Sequence, residues 1–477
     1  MRPSRLLPLI IATALFMENT DSTVISTSLP AIAEDLGADP IALKLALTSY
    51  LISLAIFIPI SGWMADKYGA RTVFTAAIGV FMAGSLACAG ANSLEGFVIA
   101  RFAQGMGGAM MVPVGRLVLL RSVPRNEIVQ ALATLTIPAL VGPVVGPPLG
   151  GFITTYFDWR WIFFINIPIG VLGIVLATIY VPNIREDDTP PLDLVGFLLS
   201  GLGLALLMLG FASGGRHLIP AEFSLGCVVV GAICVVLYVF HARRTPHPLL
   251  RLDLFKIPTF RVSVLGGSLF RIGVGSIPFL LPLMLQIGFG LNPLASGSLT
   301  FIAAVGALFM KTMAKRILEQ VGFRRLLTIN AFIGAAFIAA NGFFTPETPH
   351  WLIMIVLLIG GCFRSLQFTS LNAIGYAEVS NRDMSYATSL SSAAQQVALS
   401  IGVAFGAFVL EAVATSRGTA ITAADFGPAF WAVAVVSALS GFVFPRLSPS
   451  AGAEMSGHRI VNEKGPSTGM GDGMNGR

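Results

Sequence analysis

Ten long stretches without a charged residue constrain this chain more than any other feature of its sequence. Each stretch is at least 20 residues long and contains no Asp, Glu, Lys or Arg. A charge at the centre of a membrane-inserted helix costs about 2.5–3.5 kcal/mol, and one span needs roughly 20 apolar residues. Each stretch therefore predicts at least one transmembrane helix. They cover residues 45–65, 72–94, 128–157, 161–184, 194–215, 223–242, 272–310, 326–346, 384–410 and 426–445.

The number of predicted spans exceeds the number of stretches. Residues 272–310 are too long for one helix, and a turn cluster from Gly288 to Pro293 divides them into two spans. Three more apolar runs carry isolated charges, near residues 6–29, 94–118 and 351–374. The sequence therefore predicts an all-α polytopic membrane protein with 14 transmembrane helices.

Composition excludes the other broad classes. Only 11% of the residues are charged and 55% are hydrophobic, whereas a soluble domain has about 25% charged residues. The four cysteines lie in apolar stretches without ligand spacing, and the five histidines fall in loops or the tail. No metal constellation can be assembled from them. We therefore expect neither an enzyme nor a bound cofactor or metal.

The distribution of basic residues predicts the orientation in the membrane. Lys and Arg accumulate in cytoplasmic loops. With the N-terminus inside, 22 of the 30 basic residues fall in cytoplasmic loops and tails, 4 within spans and 4 outside, at Lys44, Arg160, Arg216 and Arg417. Both termini are therefore predicted to be cytoplasmic. In this orientation the basic loops between spans face anionic lipid, which explains the net charge of +6 without a nucleic-acid partner.

The predicted spans group as six, two and six. We expect an N-terminal six-helix bundle, a linker with two extra transmembrane helices, a C-terminal six-helix bundle and a disordered cytoplasmic tail, at residues 1–182, 183–258, 259–445 and 446–477. Gly69-Ala70-Arg71 after the second span is echoed by Gly322-Phe323-Arg324 in the second bundle. Such an echo is typical of parallel structural repeats.

The loop after the second span carries the first diagnostic motif. Residues 62–71 read GWMADKYGAR, which resembles the G-x-x-x-D-[RK]-x-G-R-[RK] signature of the major facilitator superfamily, except that Ala70 replaces the first arginine. Glycine permits a tight turn and close helix approach. The Asp66 carboxylate can cap a neighbouring helix N-terminus or pair with a nearby arginine, and so hold one conformer closed. The predicted gating residues are Gly62, Asp66, Gly69 and Arg71.

Two further motifs lie in spans four to six. Residues 101–105 read RFAQG, similar to the superfamily's R-x-x-q-G motif. Residues 142–151 read GPVVGPPLGG and fit the g-x-x-x-G-P-x-x-G-G pattern, which resembles the hallmark of proton-coupled exporters. Small residues there let helices touch and prolines bend the span. The motif positions are Gly142, Gly146, Pro147, Gly150 and Gly151.

Residues 159–168, WRWIFFINIP, resemble the segment before span six in the fourteen-span drug:proton antiporter family. The resemblance extends over residues 6–445, and the runs at 61–67 and 107–115 are similar to a bacterial multidrug permease of that family. It implies a monomeric inner-membrane transporter that exports a small molecule against protons. A channel, a membrane enzyme and an uptake transporter are the alternatives.

Charges inside the predicted spans mark the expected functional sites. Counted at 1.5 Å per residue, Glu18 lies ~18 Å and Asp21 ~22 Å from the cytoplasmic face. Arg101 enters from the other side of a ~30 Å core and lies ~20 Å from the same face. The three side chains predict a proton-coupling site. A static pair that joins two spans is the competing interpretation.

The second half carries basic residues without a matching acid at mid-depth. Arg271 and Arg364 are counted near the middle of their spans, and Lys311 lies near the inner end of its span. Arginine offers bidentate donors suited to carboxylates. Arg271 and Arg364 are therefore candidate substrate-binding residues. Two substrate classes remain open. One is an organic anion or a metal complex of it, and the other is a cationic or amphipathic drug.

Overall fold

The computed structural model describes residues 3–37, 44–214, 220–291, 293–418 and 421–458, and no β-strand occurs among them. The helices are α1 (Pro3–Asp35), α2 (Lys44–Phe57), α3 (Ser61–Tyr68), α4 (Ala70–Ala89), α5 (Leu94–Ser122), α6 (Ile128–Tyr156), α7 (Trp161–Phe164), α8 (Asn166–Tyr180), α9 (Leu194–Gly214), α10 (Ala221–Arg244), α11 (Pro258–Gly275), α12 (Ile277–Leu283), α13 (Pro293–Val321), α14 (Phe323–Asn341), α15 (His350–Ile374), α16 (Met384–Arg417), α17 (Phe426–Leu439) and α18 (Ala453–Ser456).

The helices confirm a polytopic all-α membrane protein. Within the described residues, 11 helices are long and apolar enough to cross a membrane. A twelfth span forms if α2 and α3, which meet at a 57° bend, are taken together. Helices α1 and α6, of 33 and 29 residues, also exceed the length of one span. These helices are compatible with the predicted fourteen.

The turn cluster predicted within residues 272–310 separates two spans in the structure. A π-helical turn, Met284–Gly288, ends the first of them. Gly290 follows with φ +70°, a left-handed conformation that costs a glycine little. Helix α13 then begins at Pro293, where the ring is tolerated because the first-turn N–H has no helical partner.

Helices α1 to α8 form the first half and α11 to α17 the second half. Helix α16 packs against α3 and α5 of the first half, and α6 packs against α13 and α15. The extra helices α9 and α10 pack against each other, and α9 also contacts α2 and α16. Helix α9 of the predicted linker therefore contacts both halves.

The internal echo has a structural counterpart. Gly69 precedes α4 with φ +93°, and Gly322 precedes α14 with φ +75°. In both halves a glycine in the left-handed region makes the tight turn between two antiparallel helices. At Gly69 a side chain would also overlap Asn183. Backbone conformation and close packing both explain why glycine stands there.

The segment after the last span stays packed further than the sequence predicts. Short helix α18 follows residue 446, and Met455 within it is buried. The Nδ1 of His458 donates to the Glu319 carbonyl oxygen at 2.8 Å. The predicted tail boundary at residue 446 therefore differs from the structure, in which the chain is packed to residue 458. Residues 459–477 lie outside the described residues.

Candidate functional site

A buried ion pair lies inside the first half. The Nη1 of Arg101 on α5 lies 2.6 Å from Oδ2 of Asp21 on α1. Asp21 is 4% exposed and Arg101 is 1% exposed. Buried charges are tolerated when they pair and when their remaining polar atoms are hydrogen-bonded. The structure therefore brings together two of the three predicted proton-coupling residues, and their role in coupling stays a prediction.

Three neutral side chains complete the network around this pair. Asp21 Oδ1 accepts hydrogen bonds from Gln104 Nε2 and Asn166 Nδ2, both at 2.9 Å. Arg101 Nη1 also donates to Gln104 Oε1 at 2.5 Å. Gln104 and Asn166 each donate to Ser85 Oγ, at 2.8 and 3.1 Å. Side chains from α1, α4, α5 and α8 of the first half thus form one hydrogen-bonded network.

The sequence assigned no role to Gln104, Asn166 or Ser85, although Gln104 is the fourth residue of the RFAQG motif. Gln104 stands three residues after Arg101 on α5, so the helical period alone places the two on one face. Asn166 was visible within the WRWIFFINIP run, as a polar residue at the start of an apolar span. No local signal marks Ser85, because a serine in a helix commonly bonds its own backbone.

Glu18 lies beside the network without joining it. Its carboxylate is close enough to Asp21 for the two negative charges to repel. Its Oε2 is buried and accepts no hydrogen bond from any described residue. The hydroxyl of Tyr50 is also buried and has no partner in the described part of the chain, and Arg101 lies over the Tyr50 ring at 4.5 Å. Glu18 is therefore a carboxylate with spare acceptor capacity next to the Asp21–Arg101 ion pair.

Asp66 joins the two halves at one end of the bundle. We call this end, where residues 66–71, 121–127 and 375–383 lie, the latch end. The Asp66 carboxylate accepts a hydrogen bond from the Ser385 hydroxyl of α16. It also lies 3.1 Å from Nη1 of Arg121. Asp66 is buried, so its charge depends on these two partners.

Further contacts close the latch end. The Gly62 amide donates to Ser389 Oγ at 2.9 Å, and a Cβ at Gly62 would lie 2.6 Å from the Ser385 carbonyl oxygen. Arg121 Nε donates to the Asn381 carbonyl at 3.0 Å. The halves therefore touch at backbone distance here. Glycine at position 62 is required for that approach.

Arg71 makes its hydrogen bond within the first half, whereas Gly62 and Asp66 contact α16 of the second half. Its Nη1 donates to the Thr178 carbonyl oxygen of α8 at 3.3 Å, within the first half. Arg121, which the motif did not single out, is the arginine that meets Asp66. Arg121 also lies 3.1 Å from the Glu186 carboxylate of the linker. The linker thus reaches the latch end.

The span-five motif lies against α1. A Cβ at Gly142 would lie 2.9 Å from Thr20 Oγ1, and one at Gly146 would overlap the side chain of Thr23. Gly150 is buried on the same helix, whereas a Cβ at Gly151 would meet no atom within 4 Å. Pro147 lies in α6, and its side chain falls outside the described part of the chain. Small residues here permit close α1–α6 packing beside the proton-coupling candidates.

Two buried basic residues of the second half, Arg271 and Lys311, have only neutral partners among the described residues. Arg271 Nη2 donates to Asn372 Oδ1 at 3.2 Å, and its Nε is buried without a partner. Lys311 Nζ donates to Thr369 Oγ1 at 2.7 Å. Neither forms an ion pair in the described part of the chain. Both charges are buried.

Arg364 lines a separate cavity. The cavity has a volume of about 40 Å³ and is bounded mainly by apolar side chains, including Phe270 and Phe337. Arg271 is not among its lining residues. The structure therefore does not place the two predicted substrate-binding arginines at one cavity.

The comparisons with known proteins agree with this architecture. The model of the family described as Major Facilitator Superfamily matches residues 11–403. The chain belongs to that superfamily. It is similar to "Putative multidrug resistance protein MdtD" of Escherichia coli (strain K12), with 36% identity over 446 residues, covering 92% of this chain and 93% of that protein. The same protein of Shigella sonnei (strain Ss046) is 37% identical with the same coverage. The chain is thus a transporter and not an enzyme, as predicted.

Solved structures share the fold. The human organic anion transporter MFSD10 (TETRAN) superposes with a TM-score of 0.68 at 14% identity, covering 93% of this chain and 100% of that chain. The proton:xylose symporter XylE bound to 6-bromo-6-deoxy-D-glucose gives a TM-score of 0.63 at 14% identity, covering 91% and 94%. At this identity the likeness concerns the fold alone.

Proposed function

We propose that this chain is a proton-coupled antiporter that exports small molecules across a bacterial inner membrane by alternating access. The observation that carries the proposal is the buried Asp21–Arg101 pair with Glu18 beside it. Ionisable groups inside a membrane bundle are costly and commonly mark proton or ion pathways. The name of the relatives at 36% identity supports drugs as the exported molecules.

The charges of the first half suit a one-proton cycle. Two ionised carboxylates and one guanidinium leave a local charge of −1, which one proton neutralises. Glu18 can take that proton on its unpartnered Oε2 without losing a hydrogen bond. A proton on Asp21 instead weakens the pair with Arg101 and frees the guanidinium from α1. Proton position is thereby tied to the attachment between α1 and α5.

Alternating access requires contacts that hold one end closed and can open. The latch end supplies them through Asp66, Ser385, Gly62 and Ser389. Most of the basic loops lie at this end, so we assign it to the cytoplasm, with both termini there. In this assignment the structure is closed to the cytoplasm. Export then begins when these contacts separate.

The test is transport by the purified protein in liposomes with an imposed pH gradient. We expect the double variant Asp21→Asn with Glu18→Gln to lose gradient-driven flux of the lipophilic cation tetraphenylphosphonium and of citrate. The matched control is Glu34→Gln, an exposed carboxylate on the same helix, which should match the unaltered protein. Unchanged pH-driven flux in the double variant contradicts the proposal.

The same preparation separates the competing functions. An antiporter moves substrate opposite to the protons, whereas an uptake transporter moves both in one direction. A channel gives an ionic conductance in planar bilayers, and this conductance persists without proton coupling and without a substrate gradient. Flux in the direction of the protons, or such a conductance, contradicts antiport.

An organic anion is a second candidate substrate class. The observation that favours it is that Arg271 and Lys311 are buried with neutral partners only, among the described residues. An exporter of cations is expected to present carboxylates or aromatic faces in its binding region. Citrate and tetraphenylphosphonium are therefore tested side by side.

A further inference from the structure

Arg101 lies against an aromatic ring as well as against Asp21. Tyr50 on α2 is 4% exposed, and the centroid of its ring lies 4.5 Å from the Cζ of Arg101. A guanidinium within about 6 Å of a ring face is attracted by the ring, and more strongly where both groups are buried. Arg101 therefore has two unlike partners, a carboxylate on α1 and a tyrosine ring on α2.

Two polar atoms at this contact form no hydrogen bond. The Tyr50 hydroxyl and the Nε of Arg101 are both buried, and neither has a partner among the described residues. A buried hydroxyl without a partner is costly, and a phenylalanine would fill the same space without that cost. The two atoms are complementary, because the arginine Nε–H donates and the phenol oxygen accepts. A hydroxyl at this position is explained if it gains a partner in another state of the protein.

The glycines that follow Arg101 allow α2 to come this close. Gly105 and Gly108 stand four and seven residues after Arg101, so they lie on the same face of α5. A Cβ at Gly105 would lie 2.8 Å from the Tyr50 carbonyl oxygen, and one at Gly108 would lie 2.8 Å from the Tyr50 hydroxyl. Both approaches are too close for a side chain. The run from Arg101 to Gly108 therefore combines a charge with the space that Tyr50 occupies.

A proton on Asp21 changes which partners Arg101 can use. The attraction between Arg101 Nη1 and Asp21 Oδ2, 2.6 Å apart, depends mainly on the charge of the carboxylate. Neutral Asp21 leaves Arg101 as a buried cation with Gln104 Oε1 as its other acceptor among the described residues. Because the guanidinium already lies over the Tyr50 ring, a rotation of the arginine side chain brings Nε towards the phenol oxygen.

We propose that Tyr50 is the alternative partner of Arg101 and holds the guanidinium while a proton occupies Asp21. Tyr50 is then a positioning residue, which acts through Arg101 and carries no proton itself. This proposal rests on the proposed function and deepens it. In the ionised state Arg101 is attached to α1 through Asp21, and in the proton-loaded state it is attached to α2 through Tyr50. Protonation thereby exchanges one helix contact of α5 for another.

Two further ionisable side chains face this site among the described residues of the helices packed around α5. Glu18 on α1 repels Asp21, and the Cys88 thiol on α4 belongs to the same hydrogen-bonded network. Both stay in place when Tyr50 is replaced, so their effect is the same in each variant. A proton on Glu18 instead of Asp21 leaves the Asp21–Arg101 pair intact and gives Tyr50 no new partner. Dependence on Tyr50 therefore also identifies the carboxylate that carries the proton.

The test follows protonation and transport in the full-length protein. In lipid nanodiscs, infrared difference spectra record the carbonyl stretch of protonated carboxylic acids as the pH is lowered, and Asp21→Asn identifies the Asp21 band. For Tyr50→Leu, we expect this band and the half-maximal pH-driven flux of tetraphenylphosphonium to move to lower pH by about 0.5–1 unit. The shift has this sign because the proton-loaded state loses the partner of Arg101, whereas the ionised state keeps Asp21.

Tyr50→Phe separates the hydroxyl from the ring. It keeps the ring against Arg101 and removes the acceptor for Nε, so the Asp21 band should move in the same direction by a smaller amount. Phe57→Leu is the matched control on α2, because the Phe57 ring packs edge-on against Phe102 and lies over no arginine of the described chain. Its Asp21 band should keep the position found in the unaltered protein. All variants are compared at equal monodispersity on gel filtration.

Two results overturn the role of Tyr50. An unchanged Asp21 band in the folded Tyr50 variants shows that Arg101 needs no partner on α2. An equal shift in Phe57→Leu shows that the effect passes through the packing of α2 alone. If Tyr50→Leu does not fold, Tyr50→Phe decides in the same way, because it preserves the volume of the ring.

The outcomes for Tyr50 and for proton coupling are distinguishable. An Asp21 band that moves in the Tyr50 variants, without any pH-driven flux in the unaltered protein, supports the role of Tyr50 and contradicts antiport. Asp21-dependent flux of tetraphenylphosphonium whose pH profile ignores Tyr50 overturns that role and leaves the proposed function standing. An Asp21 band that appears at no pH at which the protein stays folded contradicts both.

Discussion

Arg101 of the first half and Arg271 of the second half are both buried, but their charges are balanced in different ways. In the first half, Arg101 is paired with Asp21, and the side-chain amides of Gln104 and Asn166 donate further hydrogen bonds to that carboxylate. In the second half, Arg271 and Lys311 reach only an amide oxygen and a hydroxyl among the described residues. Two bundles of one fold therefore differ in whether their counter-charge is built in. Under the proposed function, the first half carries the proton.

Helix contacts within the first half differ in kind from the contacts between the two halves. Within the first half, the span-five glycines let α6 approach α1 next to Asp21. Between the halves, the contacts at the latch end are hydrogen bonds that can be exchanged, such as Ser385 to Asp66. The first kind fixes geometry, and the second kind permits opening.

The largest effect is expected from Gly146→Leu. A side chain at this position overlaps Thr23, so α1 and α6 must separate and the Asp21 network beside them is displaced. We expect complete loss of pH-driven transport, measured in liposomes at equal protein content. Gly79→Leu on α4 is the control outside the motif, because a Cβ there meets no described atom within 4 Å. Full activity of Gly146→Leu contradicts the packing role of the motif.

The contrast between the halves predicts unequal costs for two arginine variants. Arg101→Gln leaves Asp21 as an uncompensated buried charge, which costs about 3–5 kcal/mol. Arg364→Gln removes a guanidinium that has no ion pair in the described part of the chain, so its unfolding temperature should stay the same or rise. Thermal unfolding in detergent provides both values. Equal destabilisation by the two changes contradicts the difference in charge balance.

A smaller effect is expected at the latch end. Asp66→Asn keeps an acceptor for the Ser385 hydroxyl but removes the charge that faces Arg121. We expect slower turnover with substrate affinity largely preserved, because the variant changes the balance between the open and closed states. Transport rate and equilibrium binding are measured on the same preparation. A collapse of affinity at unchanged conformational balance instead places Asp66 in the substrate site.

The fold was predictable from the sequence to a large extent, because membrane insertion is dictated by long uncharged stretches. The turn at Gly288 to Pro293 followed from residue types alone. Depth counting along helices also brought Asp21 and Arg101 to one height, and the structure joins them. These features depend on local composition and on a fixed helical rise.

Contacts between elements far apart in sequence were not predictable in this way. The partner of Asp66 is Arg121, 55 residues away, together with Ser385, 319 residues away. The contact of Arg116 was not predictable either, because its partner is Tyr376 of the other half, 260 residues away. Arg364 was grouped with Arg271 because equal depth does not reveal which side of a helix faces the cavity. Packing angles decide such pairings, and they are not contained in a span count.

Proton release on substrate binding tests the division between the halves most directly. The full-length protein in weakly buffered nanodiscs is mixed with substrate, and the pH change is followed with an indicator dye. We expect the unaltered protein to release protons when substrate binds. The Asp21→Asn with Glu18→Gln variant should bind substrate without release, whereas Arg271→Gln should lose both binding and release. Undiminished proton release by the first-half double variant would contradict the account.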